Sequence, residues 1–238
     1  MVNELERAEP ALAALVERYA LSERQHGQLR LLLEILAGDS HAPTSIRSPE
    51  QAVAVHLADS LVALELEQVR GARVLADLGA GAGFPGLALA VALEDSEVRL
   101  VESQKRKCAF ITDTAVAAGI ENARIVRARA EDWPDGVGMH DLIVARALAP
   151  QPVVLEYAAP LLQVGGAVVD WRGKRDAREE QVSSTAALAL GLAPVTVRHV
   201  FPFPQAREHH LHVFEKTEET PERFPRRAGV ARKRPLGG

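Results

Sequence analysis

The stretch Val74-Leu-Ala-Asp-Leu-Gly-Ala-Gly-Ala-Gly-Phe-Pro-Gly86 decides the reading of this chain, because it passes from an apolar strand through a glycine turn into a helix start. Gly79, Gly81 and Gly83 let the backbone turn tightly and approach a ligand with no Cβ in the way. Pro85 suits the first turn of a helix, where its missing N–H costs little. A turn of this kind marks a nucleotide-cofactor site. Gly81, Gly83 and Gly86 also satisfy the G-x-G-x-x-G spacing, so a dinucleotide has to be weighed against S-adenosylmethionine.

Asp77 separates the two. A carboxylate at the strand end would lie close to a docked pyrophosphate, and like charges there cost free energy. S-adenosylmethionine carries an ammonium and a sulfonium and no phosphate, so an acidic strand end attracts it, directly or through water. Val98-Arg-Leu-Val-Glu102 reads as the next strand and ends in an acid about two dozen residues beyond Gly79, near the roughly 20 expected of a ribose ligand. Glu102 is the candidate for the ribose hydroxyls.

Working outward, the pattern alternates. Strands are expected at 73–78, 97–102, 123–127, 141–145 and 167–171, with helices from about 84 and at 104–118, 151–162 and 175–190. Alternation of this kind predicts an α/β fold, a Rossmann-like, doubly wound and mostly parallel sheet. Two late runs, 194–200 and 210–216, read as a closing strand pair. Upstream, 10–19 and 22–36 carry apolar positions at helical spacing, and Ser48-Pro49-Glu50 opens a third helix to about Gln68. The expected organisation is therefore an N-terminal helical extension over 1–70, a cofactor-binding domain over 71–217 and a basic C-terminal tail over 218–238.

With 238 residues, 47% hydrophobic and 25% charged, the chain has the composition of one large globular domain with an appendage. No apolar run approaches the roughly 18 residues of a membrane span. The acidic start Met1-Val-Asn-Glu lacks a following apolar segment with a cleavage site, which points to the cytoplasm. Cys108, the one cysteine, sits in the expected helix 104–118 and reads as a small buried side chain. The net charge of −4 hides an uneven distribution. Beyond Thr217, Arg223, Arg226, Arg227, Arg232, Lys233 and Arg234 are interleaved with glycine and proline, a basic and poorly packing tail suited to nucleic-acid phosphates.

Further residues fall on the ligand-binding edge of such a sheet. After the third strand, Ala130-Glu131 presents an acid and amides that can read an adenine edge, or simply start a helix. The fourth strand delivers Arg146, which stays protonated and so can clamp an anion or stack on a base but cannot act as a general base. Lys105, Arg106 and Lys107 at a helix start answer an outside phosphate or are solvated. His56 and Asp59, three apart on one helix, favour a structural hydrogen bond over a metal or acid/base pair. His209, His210 and His212 suggest a metal, but alternation in a strand sends 210 and 212 to one face with no acid or cysteine nearby, and no metal is expected.

Taken together, Asp77-Leu-Gly-x-Gly-x-Gly-Phe-Pro-Gly86, Thr44-Ser-Ile-Arg47, His56-Leu-Ala-Asp59-Ser60 and Arg146-Ala-Leu resemble the GidB/RsmG family of bacterial methyltransferases of small-subunit ribosomal RNA. The resemblance covers nearly the whole chain and extends to a tail found in some members. It implies a class I S-adenosylmethionine-dependent methyltransferase with cofactor contacts at Gly79, Phe84, Ala130, Glu131 and Arg146, joined by Gly81 and Glu102 from the reading above. It also implies 16S rRNA in the small ribosomal subunit as partner and ring N7 of a decoding-region guanine as acceptor; separately, a monomer is expected. The chain departs from the family pattern at Ala42-Pro43 and at Trp171-Arg172-Gly173, both on expected RNA-facing ground.

Overall fold

The computed structural model describes residues 2–237. Two amphipathic helices, α1 (Val2–Arg18) and α2 (Glu23–Gly38), open the chain. Ser22 and Gln25 form a reciprocal capping box at the start of α2, which satisfies two amides that would otherwise lack partners. The loop after α2 is tied by Arg47, whose guanidinium donates to the carbonyls of Asp39 at 2.7 Å, Ser40 at 3.2 Å and Ala42 at 3.2 Å.

The third helix expected from the sequence is broken into pieces. It runs as α3 (Pro49–Ala52), a π turn (Val53–Ala58), α4 (Asp59–Leu61), a 3-10 turn (Val62–Glu65) and α5 (Glu67–Arg70). Ser60 Oγ donates to the His56 carbonyl, a backbone-directed bond that bends helices.

From there β1 (Val74–Leu78), α6 (Gly86–Ala92), β2 (Glu97–Val101), α7 (Lys105–Ala117), β3 (Ala123–Val126), β4 (His140–Arg146), α8 (Gln151–Ala158), β5 (Leu162–Arg172), α9 (Ala177–Ala189), β6 (Leu192–Val200), β7 (His209–Lys216) and α10 (Val230–Lys233) follow. The seven strands lie in the order β3-β2-β1-β4-β5-β7-β6, all parallel up to β5, with β7 antiparallel to both neighbours. The expected doubly wound sheet is present, and its order reverses beside β1, where such sheets bind ligands.

β5 starts at Leu162, earlier than expected, because Gly165-Gly166 looks like a break in sequence. A Cβ on Gly166 would stand 2.9 Å from the Asp141 carbonyl, so that glycine allows β5 to approach β4 closely. Strand alternation then divides the core. Leu75 and Leu100 face a core shared with α1, α2 and α6, whereas Ala76, Leu78 and Ile143 face α8, α9 and the C-terminal segment. The N-terminal helices thus share one core with the sheet.

Candidate functional site

The glycine turn is built around Asp77. Its carboxylate accepts the Gly86 amide at 2.8 Å, capping the N-terminus of α6, and the side chain is almost wholly buried. Burial pushes its pKa up to about 7, against the Gly86 hydrogen bond and the Arg146 charge, which both lower it. Asp77 therefore turns inward to the loop, and of the two strand-end acids only Glu102 lines the neighbouring cleft. The Glu102 carboxylate accepts from the Gly81 amide at 3.2 Å and the Gln104 amide at 2.8 Å, with Lys107 Nζ 3.9 Å away. Ser103 Oγ donates to it as well, at 3.4 Å, and a carboxylate has about four acceptor positions, which leaves one for a ligand hydroxyl.

These groups open onto a cleft of about 400 Å³ at the carboxyl ends of the strands. Gly79, Glu102, Ala130 and Glu131 line it, bringing four of the seven predicted residues together. Gly79 has φ +75°, and a Cβ there would stand 2.6 Å from Leu148 Cδ1. Ala147, also on the cleft, is a non-glycine residue at φ 55°, an uncommon backbone held at the end of β4. Tyr157 reaches the cleft from α8, and its buried hydroxyl has no hydrogen-bond partner. S-adenosylmethionine fits this set: acids stand where hydroxyls and amines need acceptors, an orphaned phenol faces in, and a glycine keeps one wall clear.

Gly81, Phe84 and Arg146 do not line this cleft, and Gly81 meets it only through the hydrogen bond from its amide to Glu102. Phe84 is buried and stacks on His56 with ring centroids 4.8 Å apart. His56 Nε2 lies 3.0 Å from Thr44 Oγ1, and burial, then Arg146, lowers the imidazole pKa to about 4. Arg146 donates to Asp59 Oδ2 at 2.7 Å and to the Val55 carbonyl at 3.0 Å. Asp59 Oδ1 meets His209 Nδ1 at 2.9 Å, and Trp171 Nε1 donates to the Asp59 carbonyl at 2.7 Å. The His-x-x-Asp-Ser motif therefore joins the helical layer to the ends of β4, β5 and β7. His56 and Asp59 serve different partners, a division that their spacing does not reveal.

Other expectations resolve as follows. Cys108 is buried with Sγ 3.1 Å from the Glu102 carbonyl oxygen, and burial pushes its thiol pKa up. Arg106 donates to the His41 carbonyl at 3.3 Å. His210 Nδ1 lies 2.8 Å from the Gly173 carbonyl, while His212 is buried with Nε2 unpartnered. No helix among the described residues is long and apolar enough to cross a membrane.

The C-terminal segment corrects the sequence reading. Expected to pack poorly, it lies against the α8–α9 face, burying Phe224 and Ala231. Arg226 donates to the fully buried Glu156 through Nε at 2.8 Å, Nη2 at 2.5 Å and its amide at 3.0 Å. Gly229 and Arg232 line the 400 Å³ cleft, and with Tyr157 they join the candidate site without having been expected from the sequence. Tyr157 looks in sequence like any core aromatic, and the tail's charges look like a solvated run.

A second, larger cavity of about 1130 Å³ adjoins the first and shares Ala147 and Leu148 with it. Lys174, Arg178 and Arg234 stand on it with no ion-pair partner among the described residues, and His212 and the orphaned Ser183 Oγ line its floor. Burial, opposed mainly by Glu180, lowers the His212 pKa to about 4, so this imidazole is neutral at pH 7.

The family model GidB, described as rRNA small subunit methyltransferase G, matches residues 25–208. The chain is 37% identical over 221 residues to the ribosomal RNA small subunit methyltransferase G of Rubrobacter xylanophilus, a match covering 89% of this chain and 85% of that one. With the protein of the same description from Desulfitobacterium hafniense it shares 39% identity over 197 residues, 81% of each chain. Among solved structures, a SAM dependent methyltransferase from Aquifex aeolicus superposes with TM-score 0.57 at 15% identity, over 70% of this chain and 93% of the other. The 1,6-didemethyltoxoflavin-N1-methyltransferase of Burkholderia thailandensis, solved with S-adenosylhomocysteine bound, gives 0.52 at 19% identity, over 81% and 90%. The last two show the fold, and the first three show more: this chain belongs to the GidB family, rRNA small subunit methyltransferase G.

Proposed function

We propose that the chain methylates ring N7 of a guanine in 16S rRNA of the small ribosomal subunit, using S-adenosylmethionine held in the 400 Å³ cleft. The observation that carries this reading is the junction at Ala147 and Leu148 between that cleft and the larger, cation-bearing cavity. A cofactor on one side and an RNA nucleotide on the other would meet at the end of β4.

Gly79 and Gly81 give the cofactor a close backbone approach, Glu102 takes a ribose hydroxyl, and Ala130 and Glu131 read the adenine edge. Phe84 acts from behind the loop, seated on His56. Arg146, tethered by Asp59, positions the base or a phosphate beside the junction. When bound, the cofactor supplies an electrophilic methyl carbon on a sulfonium. N7 of guanine already presents an in-plane lone pair, so the chain has no proton to remove before attack. Its task is alignment, and an arginine that stays protonated suits it. Lys174, Arg178 and Arg234 contact RNA phosphates, which position the substrate without reading its sequence. In the large cavity, the neutral His212 and Ser183 Oγ offer hydrogen bonds to a base.

The test is transfer of radiolabelled methyl from S-adenosylmethionine to 30S subunits from a strain lacking the enzyme, mapped by cleavage specific for 7-methylguanine. Label at a single guanine is the expected result. Absence of label with cofactor binding intact would overturn the acceptor and favour a ribosome-assembly factor that keeps the fold without turnover.

A further inference from the structure

The segment after β7 returns across the α8–α9 face and passes both cavities. Gly229 and Arg232 stand on the cofactor cleft, Arg234 and Pro235 on the larger cavity. Three features hold it there. Arg226 satisfies both oxygens of Glu156, a carboxylate with no solvent contact at all. Phe224 is buried, and Ala231 on α10 is sealed at 1% exposure. Gly229, at φ +80°, then turns the chain into α10.

The turn aims Arg232 at the site. Its Nη2 donates to the Leu148 carbonyl at 3.2 Å, and the Leu148 side chain in turn fills the space beside Gly79. One hydrogen bond uses little of a guanidinium with five N–H donors. Beside it is the Tyr157 hydroxyl, buried, on the cleft and unpartnered. Burial and the Glu131 carboxylate raise the Tyr157 pKa, whereas the Arg232 guanidinium, close enough to approach the phenol as a donor, lowers it; all three residues line the cleft. A buried phenol without a partner is costly unless a ligand completes it.

We infer that Arg232 and the Tyr157 hydroxyl are cofactor-contacting groups, and that the C-terminal segment is a strap that carries Arg232 into the cofactor site. The inference rests on assignment of the cleft to the cofactor. The strap's anchor, the Arg226–Glu156 pair, lies apart from the cleft and acts by position alone.

The experiment is isothermal titration of the full chain with S-adenosylhomocysteine, alongside melting of the ligand-free protein. Arg232→Ala is expected to bind about tenfold more weakly. Tyr157→Phe, which removes one oxygen and leaves the packing, should bind several-fold more weakly with an unchanged ligand-free melting temperature. Arg232→Lys should recover part of the loss. If Glu102→Gln abolishes binding while Arg232→Ala and Tyr157→Phe both stay within about twofold of wild type, the inference is wrong and the cleft assignment stands. If Glu102→Gln itself binds like wild type, the cleft assignment fails. A loss in Arg232→Ala that only mirrors a lower ligand-free melting temperature, with Tyr157→Phe binding normally, would reduce the strap to a structural element and overturn the inference.

Discussion

Asp77 sits at 1% exposure with its carboxyl against the Gly86 amide, and burial raises its pKa to about 7. The folded state then holds this proton more tightly than the unfolded chain, whose aspartate titrates near 3.8. Stability from this group is present below that value and falls as pH rises toward 7. Asp77→Asn keeps an acceptor for Gly86 and removes the titration. Urea unfolding should show wild type losing stability relative to the variant between about pH 4.5 and pH 7.5, and parallel curves would refute the shift. Gly86 is equally constrained, since a Cβ would stand 2.7 Å from Leu100 Cδ2 and 2.8 Å from Asp77 Oδ2. Gly86→Ala should cost about 1–3 kcal/mol by overpacking, read by the same unfolding, and should weaken cofactor binding by shifting the turn. The sequence shows that glycine is needed here. It does not show that the Asp77 carboxyl itself is one of the crowding atoms.

Among elements, the segment that Ser48-Pro49-Glu50 opens reads in sequence as one helix to about Gln68. The structure breaks it at the π turn Val53–Ala58, and this brings Asp59 to the sheet edge against Arg146 and His209. π turns interrupt helices frequently at functional sites. Periodicity cannot reveal such a break, because the partners that pull on the helix lie 87 and 150 residues further along. Asp59→Asn keeps the shape and removes the charge shared by those partners. It should cost about 2 kcal/mol in urea unfolding. It should also lower methyl transfer more than cofactor affinity, because Arg146 loses its tether without the cleft losing a wall. An equal fall in both would place Arg146 directly on the cofactor.

For the whole molecule, the N-terminal helices and the C-terminal segment cover opposite faces of one sheet. Arg226→Ala would leave the Glu156 carboxylate buried without its cation and should cost about 3–5 kcal/mol, measured as a lower melting temperature. A tail that merely solubilised the chain would tolerate that change. The sequence by itself determined the strand–turn–helix loop, the mostly parallel character of the sheet and the acid at the end of β2. These follow from local backbone sterics and from apolar periodicity, which act over a few residues. Tertiary structure alone decided that Asp77 turns inward while Glu102 lines the cleft, that Arg146 pairs with Asp59, and that the basic tail packs on the α8–α9 face and brings Arg232 to the cleft. Those outcomes depend on burial and on charge pairs between residues far apart in the chain, and such distances leave no periodic mark in a sequence.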